Sequence, residues 1–238
     1  IVYLLPIISI FLSSYLREAS GTTKKISESN RTSAIVAGKQ SETGDFINRK
    51  RLVQLMAFYG LCTYLVIIVS FNLPFLMEEY HFSSGNSGIM ISLFFLAIMT
   101  PGLFLNQIIG WWKQRTEFYS LLCIAVGLGL IILSRSEWWI GLGCLFAGFG
   151  YGVIQPVVYD KTTRTASSRK VTLALAFVMA MNYLAILLCP FIIDWAGFIF
   201  RVHTQQFAFI FNLVVTVLAA GWAYWKRNSF VFSENTEE

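Results

Sequence analysis

The placement of lysine and arginine constrains this chain more than any other feature. Long apolar stretches alternate with short polar ones, and 16 of the 18 basic residues fall in every second polar stretch: eight in Arg17–Arg51, two in Lys113–Glu117, four in Tyr159–Lys170 and two in Lys226–Glu238. The intervening polar stretches hold only Arg135 and Arg201. A soluble chain has no reason to sort its cations by alternate connections. A chain threaded back and forth through a bilayer has one, because basic residues collect on the cytoplasmic side. Composition agrees: the chain is 56% hydrophobic and 13% charged, against roughly 25% charged in soluble domains. The net charge of +5 is then topological, and nucleic acid is not an expected partner.

A bilayer core takes about 20 apolar residues per helix. The reading predicts spans at Ile1–Leu16, Leu52–Met77, Ser87–Trp112, Phe118–Ser134, Trp138–Val158, Val171–Ile193 and Phe207–Trp225, the last six free of Asp, Glu, Lys and Arg within these limits. All seven tryptophans (Trp111, Trp112, Trp138, Trp139, Trp195, Trp222, Trp225) fall at or near a span end, the interfacial belt expected of amphipathic rings. Pro74, Pro101, Pro156 and Pro190 lie within or near span ends, where a membrane helix bends without breaking. The first span is short and opens on Ile, so residues 1–16 are expected to be the end of a truncated helix. No basic segment or small-residue cleavage site marks it as a signal peptide. Residues 17–51 are expected to form a flexible basic cytoplasmic loop, 52–225 a six-helix membrane domain and 226–238 a cytoplasmic tail. Asn30-Arg31-Thr32 matches a glycosylation sequon that a cytoplasmic loop would not expose to the glycosylation machinery. The four cysteines, Cys62, Cys123, Cys144 and Cys189, lie inside apolar stretches without metal-type spacing and read as reduced core residues. No metal site and no cofactor is expected.

Polar groups in hydrocarbon are costly and turn toward a bundle interior. They are Tyr59, Thr63, Tyr64 and Asn72 in the second span, Asn106 and Gln107 in the third, Tyr151 and Gln155 in the fifth, and Asn182 and Tyr183 in the sixth. The fourth span has almost none, and the last only Asn212 and Thr216. Asp160, Asp194, Glu78, Glu79, His81 and His203 sit at span ends or in loops. With no His or acid inside a span, an intramembrane hydrolase lacks its nucleophile-activating base or its ligands, and no phosphate-binding glycine loop follows a strand. An enzyme is not expected. A seven-helix receptor or sensor remains as the alternative, since seven spans would start outside. Gly148-Phe149-Gly150-Tyr151-Gly152 puts Gly148 and Gly152 one turn apart, a small-xxx-small pair that lets two helix backbones approach.

One helix, a long basic cytoplasmic loop, then six helices with both ends inside resembles the carboxy-terminal half of a major facilitator superfamily transporter. The run Gly102-Leu103-Phe104-Leu105-Asn106-Gln107-Ile108-Ile109-Gly110-Trp111-Trp112-Lys113 is similar to the family's loop between the second and third helix of each half, with Gly102, Asn106, Gln107, Gly110 and Lys113 as its gating positions. It departs from the family pattern in carrying Asn106-Gln107 where an Asp and an Arg are preferred, with one extra residue of spacing. The resemblance implies an all-α integral membrane protein: a six-helix bundle of inverted three-helix repeats, preceded by the end of a sixth helix. It implies alternating access, a missing amino-terminal six-helix half as partner, the lipid bilayer as solvent, and location in the bacterial cytoplasmic (inner) membrane. Helices seven, eight, ten and eleven would line a central cavity, making Tyr59, Tyr64, Asn72, Tyr151, Gln155, Asn182 and Tyr183 the candidate substrate contacts. Proton coupling is implied only by the resemblance. A wall without fixed charge, with Phe94, Phe95, Phe146 and Phe149 among its available rings, suits efflux of neutral or amphiphilic small molecules.

Overall fold

The structure is a computed structural model that describes residues 47–112, 115–167, 169–202 and 204–225, with backbone only for Ser84 and Asn106. The predicted first helix, most of the 17–51 loop, the sequon, Lys113, His203 and the 226–238 tail lie outside the described residues. Six helices account for nearly all of the rest: α1 Arg49–Glu79, α2 Ser84–Trp112, α3 Thr116–Leu133, α4 Glu137–Thr163, α5 Val171–Phe200 and α6 Gln205–Trp225. Each contains a segment long and apolar enough to cross a membrane. The protein is an all-helical, multi-pass integral membrane protein.

The helices overrun the expected spans. α1 begins at Arg49, inside the stretch read as loop, because Asn48 caps it: its Oδ1 accepts the Arg51 backbone N–H at 3.2 Å. Such a cap satisfies one of the amides a helix start leaves open. α5 runs seven residues past Ile193, so Asp194 lies within a helix and not at its end. α1 and α5 stop in the same way. Beyond α1, His81 takes φ 61° while Phe82 N–H reaches back to Met77 O at 2.9 Å; beyond α5, Arg201 takes φ 54° while Val202 N–H reaches Gly197 O at 3.1 Å. A left-handed residue followed by a six-to-one hydrogen bond closes off the last carbonyls. The prolines lie inside α1, α2, α4 and α5 without ending them. α2 leaves helical geometry locally at Phe104, three residues after Pro101.

α4 is the packing centre, and its glycines explain why. A Cβ on Gly148 would lie 2.4 Å from Phe94 O, and one on Gly152 2.3 Å from Ile98 O, both on α2. On another face of α4, a Cβ on Gly150 would lie 2.5 Å from Ser120 O and one on Gly143 2.7 Å from Gly127 O, both on α3. Two glycine-lined faces therefore bring two neighbouring backbones into direct contact with one helix. Without a hydrophobic drive between helices in lipid, such close approach is a main source of association.

The neighbour pattern has a two-fold character. α4 packs on α2 and α3; α1 packs on α5 and α6; α1 also meets α4, and α3 meets α6. Exchanging the first three helices with the last three leaves this pattern unchanged. α2 and α5 take equivalent places in it and are the least enclosed, with only 22% and 17% of their most apolar windows buried, against 67% and 61% for α1 and α4.

Polar contacts close both ends of the bundle. At one end, Asn48 N–H donates to Thr165 O at 2.9 Å, Lys161 pairs with Glu117, and Phe118 packs on Tyr224. At the other, Asn86 Nδ2 donates to Glu137 Oε1 at 2.6 Å, Gln205 N–H donates to Glu79 Oε2 at 3.2 Å, and Arg135 lies over the Tyr80 ring. Alternate helix connections thus fall on opposite ends. Lys161 and Glu117 correct the sequence reading: both belong to helices and both are buried, where polar connecting stretches were expected.

Candidate functional site

Polar residues at helical spacing build the site. Tyr59 and Thr63 are one turn apart on α1; Tyr151, Gln155 and Tyr159 are successive turns of α4. Residues four apart share a helix face, and because α1 meets α4, the two polar faces meet. Tyr59 and Tyr151 stack with ring planes 7° apart, and Tyr159 closes edge-on against Tyr59. Their hydroxyls form a chain: Tyr59 OH to Tyr159 OH is 3.2 Å, Tyr151 OH to Tyr59 OH 3.3 Å and Thr63 Oγ1 to Tyr151 OH 2.9 Å. The chain ends on α5, where Asn182 Oδ1 accepts from Thr63 Oγ1 at 2.6 Å and lies 3.1 Å from Tyr151 OH. Gln155 Nε2 reaches Tyr159 OH at 3.5 Å.

This cluster forms one wall of a recess of about 220 Å³. Tyr59, Thr63, Tyr151, Gln155 and Asn182 supply its polar side; Val66, Ile67, Phe94, Phe95, Ile98 and Ile186 supply its apolar side. The four helices around it are α1, α2, α4 and α5, and no formal charge lines it. A second groove of about 540 Å³ between α2, α3 and α4 is lined by apolar groups such as Phe146, Phe149 and Trp112. Its one hydroxyl, Thr100 Oγ1, donates to Leu96 O in its own helix. That groove offers nothing to orient a polar solute, so the smaller recess is the better site.

The structure brings together four of the seven sequence candidates: Tyr59, Tyr151, Gln155 and Asn182. The other three go elsewhere. Tyr64 is buried, and its backbone carbonyl faces Cys189 Sγ of α5 at 3.9 Å. Asn72 donates to Gln205 Oε1 at 3.3 Å, tying α1 to α6. Tyr183 is 70% exposed, although its neighbour Asn182 lines the recess, since one residue turns a helix by about 100°. Thr63 and Tyr159 complete the cluster; Tyr159 lies inside α4, one residue beyond the predicted span end at Val158. Its signal was the four-residue spacing from Tyr151 through Gln155. Of the gating positions, Gly102 and Gly110 stand in open space, where an added Cβ meets nothing within 4 Å, and Gln107 is exposed. Gly148 and Gly152 lie in the α2–α4 contact.

No curated protein matches the chain. The family model described as Major Facilitator Superfamily does, over residues 1–190 and again over residues 53–235. Together with six apolar helices, that match places the chain among membrane transporters and not among enzymes: it belongs to the Major Facilitator Superfamily.

Proposed function

We propose that residues 52–225 are one half of a secondary transporter working by alternating access, that residues 17–51 and the carboxy terminus are cytoplasmic, and that a second six-helix half completes the path. The observation that carries this reading is the uncharged hydrogen-bonding cluster on α1, α4 and α5, opening into a recess whose other side is apolar. A solute there meets polar groups on one side and Phe94 and Phe95 on the other, which suits a neutral or amphiphilic small molecule. The neighbour pattern, unchanged on exchanging its three-helix halves, supports inverted repeats. α2 and α5, flanking the recess and largely unenclosed, supply a face for the second half. Efflux in a bacterial inner membrane is the direction and setting that fit this solute class; proton coupling rests on the family likeness alone.

The test uses the complete transporter in proteoliposomes with Ile186→Cys on the apolar side of the recess. Labelling by an impermeant maleimide is followed at the peptide carrying the introduced thiol, with reagent on either side. The expected result is access from each side in turn, with the balance moved by solute. Access from one side alone under every condition would overturn alternating access at this recess.

A further inference from the structure

Proton counting in the cluster determines what it leaves for a solute. A hydroxyl carries one proton. Thr63 gives its own to Asn182 Oδ1 across the shortest contact of the group, 2.6 Å, so in the 2.9 Å Thr63–Tyr151 contact Tyr151 is the donor. Tyr151 also faces Tyr59 OH at 3.3 Å and Asn182 Oδ1 at 3.1 Å as a donor, so its one proton is shared among these contacts. Tyr59 OH meets Tyr159 OH at 3.2 Å, and Gln155 Nε2 donates to Tyr159. The contacts run unbroken from Gln155 on α4 to Asn182 on α5. The hydroxyls face one another inside the cluster, and Asn182 Oδ1 is its terminal acceptor.

Two amide ends remain. Asn182 Nδ2 and Gln155 Oε1 have no hydrogen-bond partner among the described residues, and both residues line the recess. One offers N–H donors, the other a carbonyl acceptor. Tyr151, which touches Asn182, sits one helical turn from Gln155, about 6 Å along α4. From this we infer that the recess selects neutral solutes carrying a carbonyl-type acceptor and, about one helical turn away, an N–H or O–H donor. The acceptor sits at Asn182, the donor at Gln155, and the apolar body lies against Phe94 and Ile98. A carboxylate would bring its charge into a recess without a cation, and removing either polar group would leave one amide end unmatched.

This inference rests on the recess being the solute site. The test measures how well added compounds protect the introduced thiol from maleimide in the complete transporter carrying Ile186→Cys. The probe is para-hydroxyacetophenone, which has a carbonyl and a phenol on opposite ends of one ring. Its comparators are para-ethylphenol, which lacks the acceptor, para-methoxyacetophenone, which lacks the donor, and ionised para-hydroxybenzoate. The probe is expected to protect at about tenfold lower concentration than either neutral comparator, the size of effect one neutral hydrogen bond supports, and the benzoate is expected not to protect. Gln155→Met keeps the bulk of the side chain but removes the Oε1 acceptor; there the advantage of the probe over para-methoxyacetophenone should vanish. An unchanged labelling rate without probe shows that the variant's recess is intact. Equal protection by all four compounds, or an advantage over para-methoxyacetophenone that survives Gln155→Met, overturns the donor–acceptor selection and leaves the recess standing as a site. Protection by none removes the recess as the site and the selection with it.

Discussion

Glu117 and Lys161 meet at the basic end of the bundle, on α3 and α4, both buried. A buried pair of this kind contributes little net stability over well-packed apolar residues, but removing one partner strands the other charge at a cost of about 3 kcal/mol or more. Glu117→Leu and Lys161→Met are therefore each expected to lower the thermal unfolding temperature in detergent markedly, and the double variant to recover most of the loss. Two silent single variants would show that the pair carries no such energy. Nothing in the sequence links these residues. They lie 44 positions apart in two different polar stretches, and only the α3–α4 packing joins them. The polar cluster was more legible. Tyr59, Tyr151, Gln155 and Asn182 were visible because an uncharged polar residue in hydrocarbon turns inward. Asn72 obeys the same rule yet lies outside the recess, and Tyr183 departs from it at 70% exposed, since the direction a residue takes depends on helix rotation that spacing within one span cannot reveal.

Among the helices, α4 holds the sharpest structural demand. Its Gly152 lies where even a methyl group would meet the Ile98 carbonyl at 2.3 Å, while Gly129 of α3 has nothing within 4 Å of an added Cβ. Overpacking typically costs about 1–3 kcal/mol, and here the obstacle is backbone that cannot swing aside. Gly152→Ala should lower the unfolding temperature and, by separating α2 from α4 along the recess, weaken any solute protection measured there. Gly129→Ala should be neutral or slightly stabilising, because alanine favours the helix over glycine by up to about 1 kcal/mol. Equal behaviour of the two variants would refute the close-contact argument. The existence and order of the helices could be read from apolar length and charge alone. Their ends could not. The Asp194 side chain suggested an end to α5, but the helix continues to Phe200 because its stop is set by the left-handed turn at Arg201, a residue with no helix-ending signature of its own.

At the scale of the molecule, charge and packing agree on which connections share an end. Arg49, Lys50, Arg51, Arg115, Lys161, Arg164, Arg169 and Lys170 belong to the end where Asn48 meets Thr165 and Glu117 meets Lys161; Arg135 and Arg201 belong to the other, with Glu79 and Glu137. The packing could have been built with either end inward; the proposed orientation rests on the cations, since lysine and arginine near the span ends are retained on the cytoplasmic side. Ser83 and Ser136 are exposed in connections at the acidic end, and Thr163 is exposed at the close of α4 at the basic end. Cysteines placed singly at Ser83 and Ser136 should react with an impermeant maleimide added to intact cells, whereas one at Thr163 should react only after permeabilisation. The reverse pattern would invert the bundle in the membrane while leaving its packing untouched, and it would then be the rule about cations, rather than the helix arrangement, that fails for this chain. Labelling of all three positions from one side would contradict the alternation of the connections itself. That alternation is the deeper commitment, because the recess, the two-fold neighbour pattern and the burial of Glu117 with Lys161 all require each helix to return the chain to the opposite end.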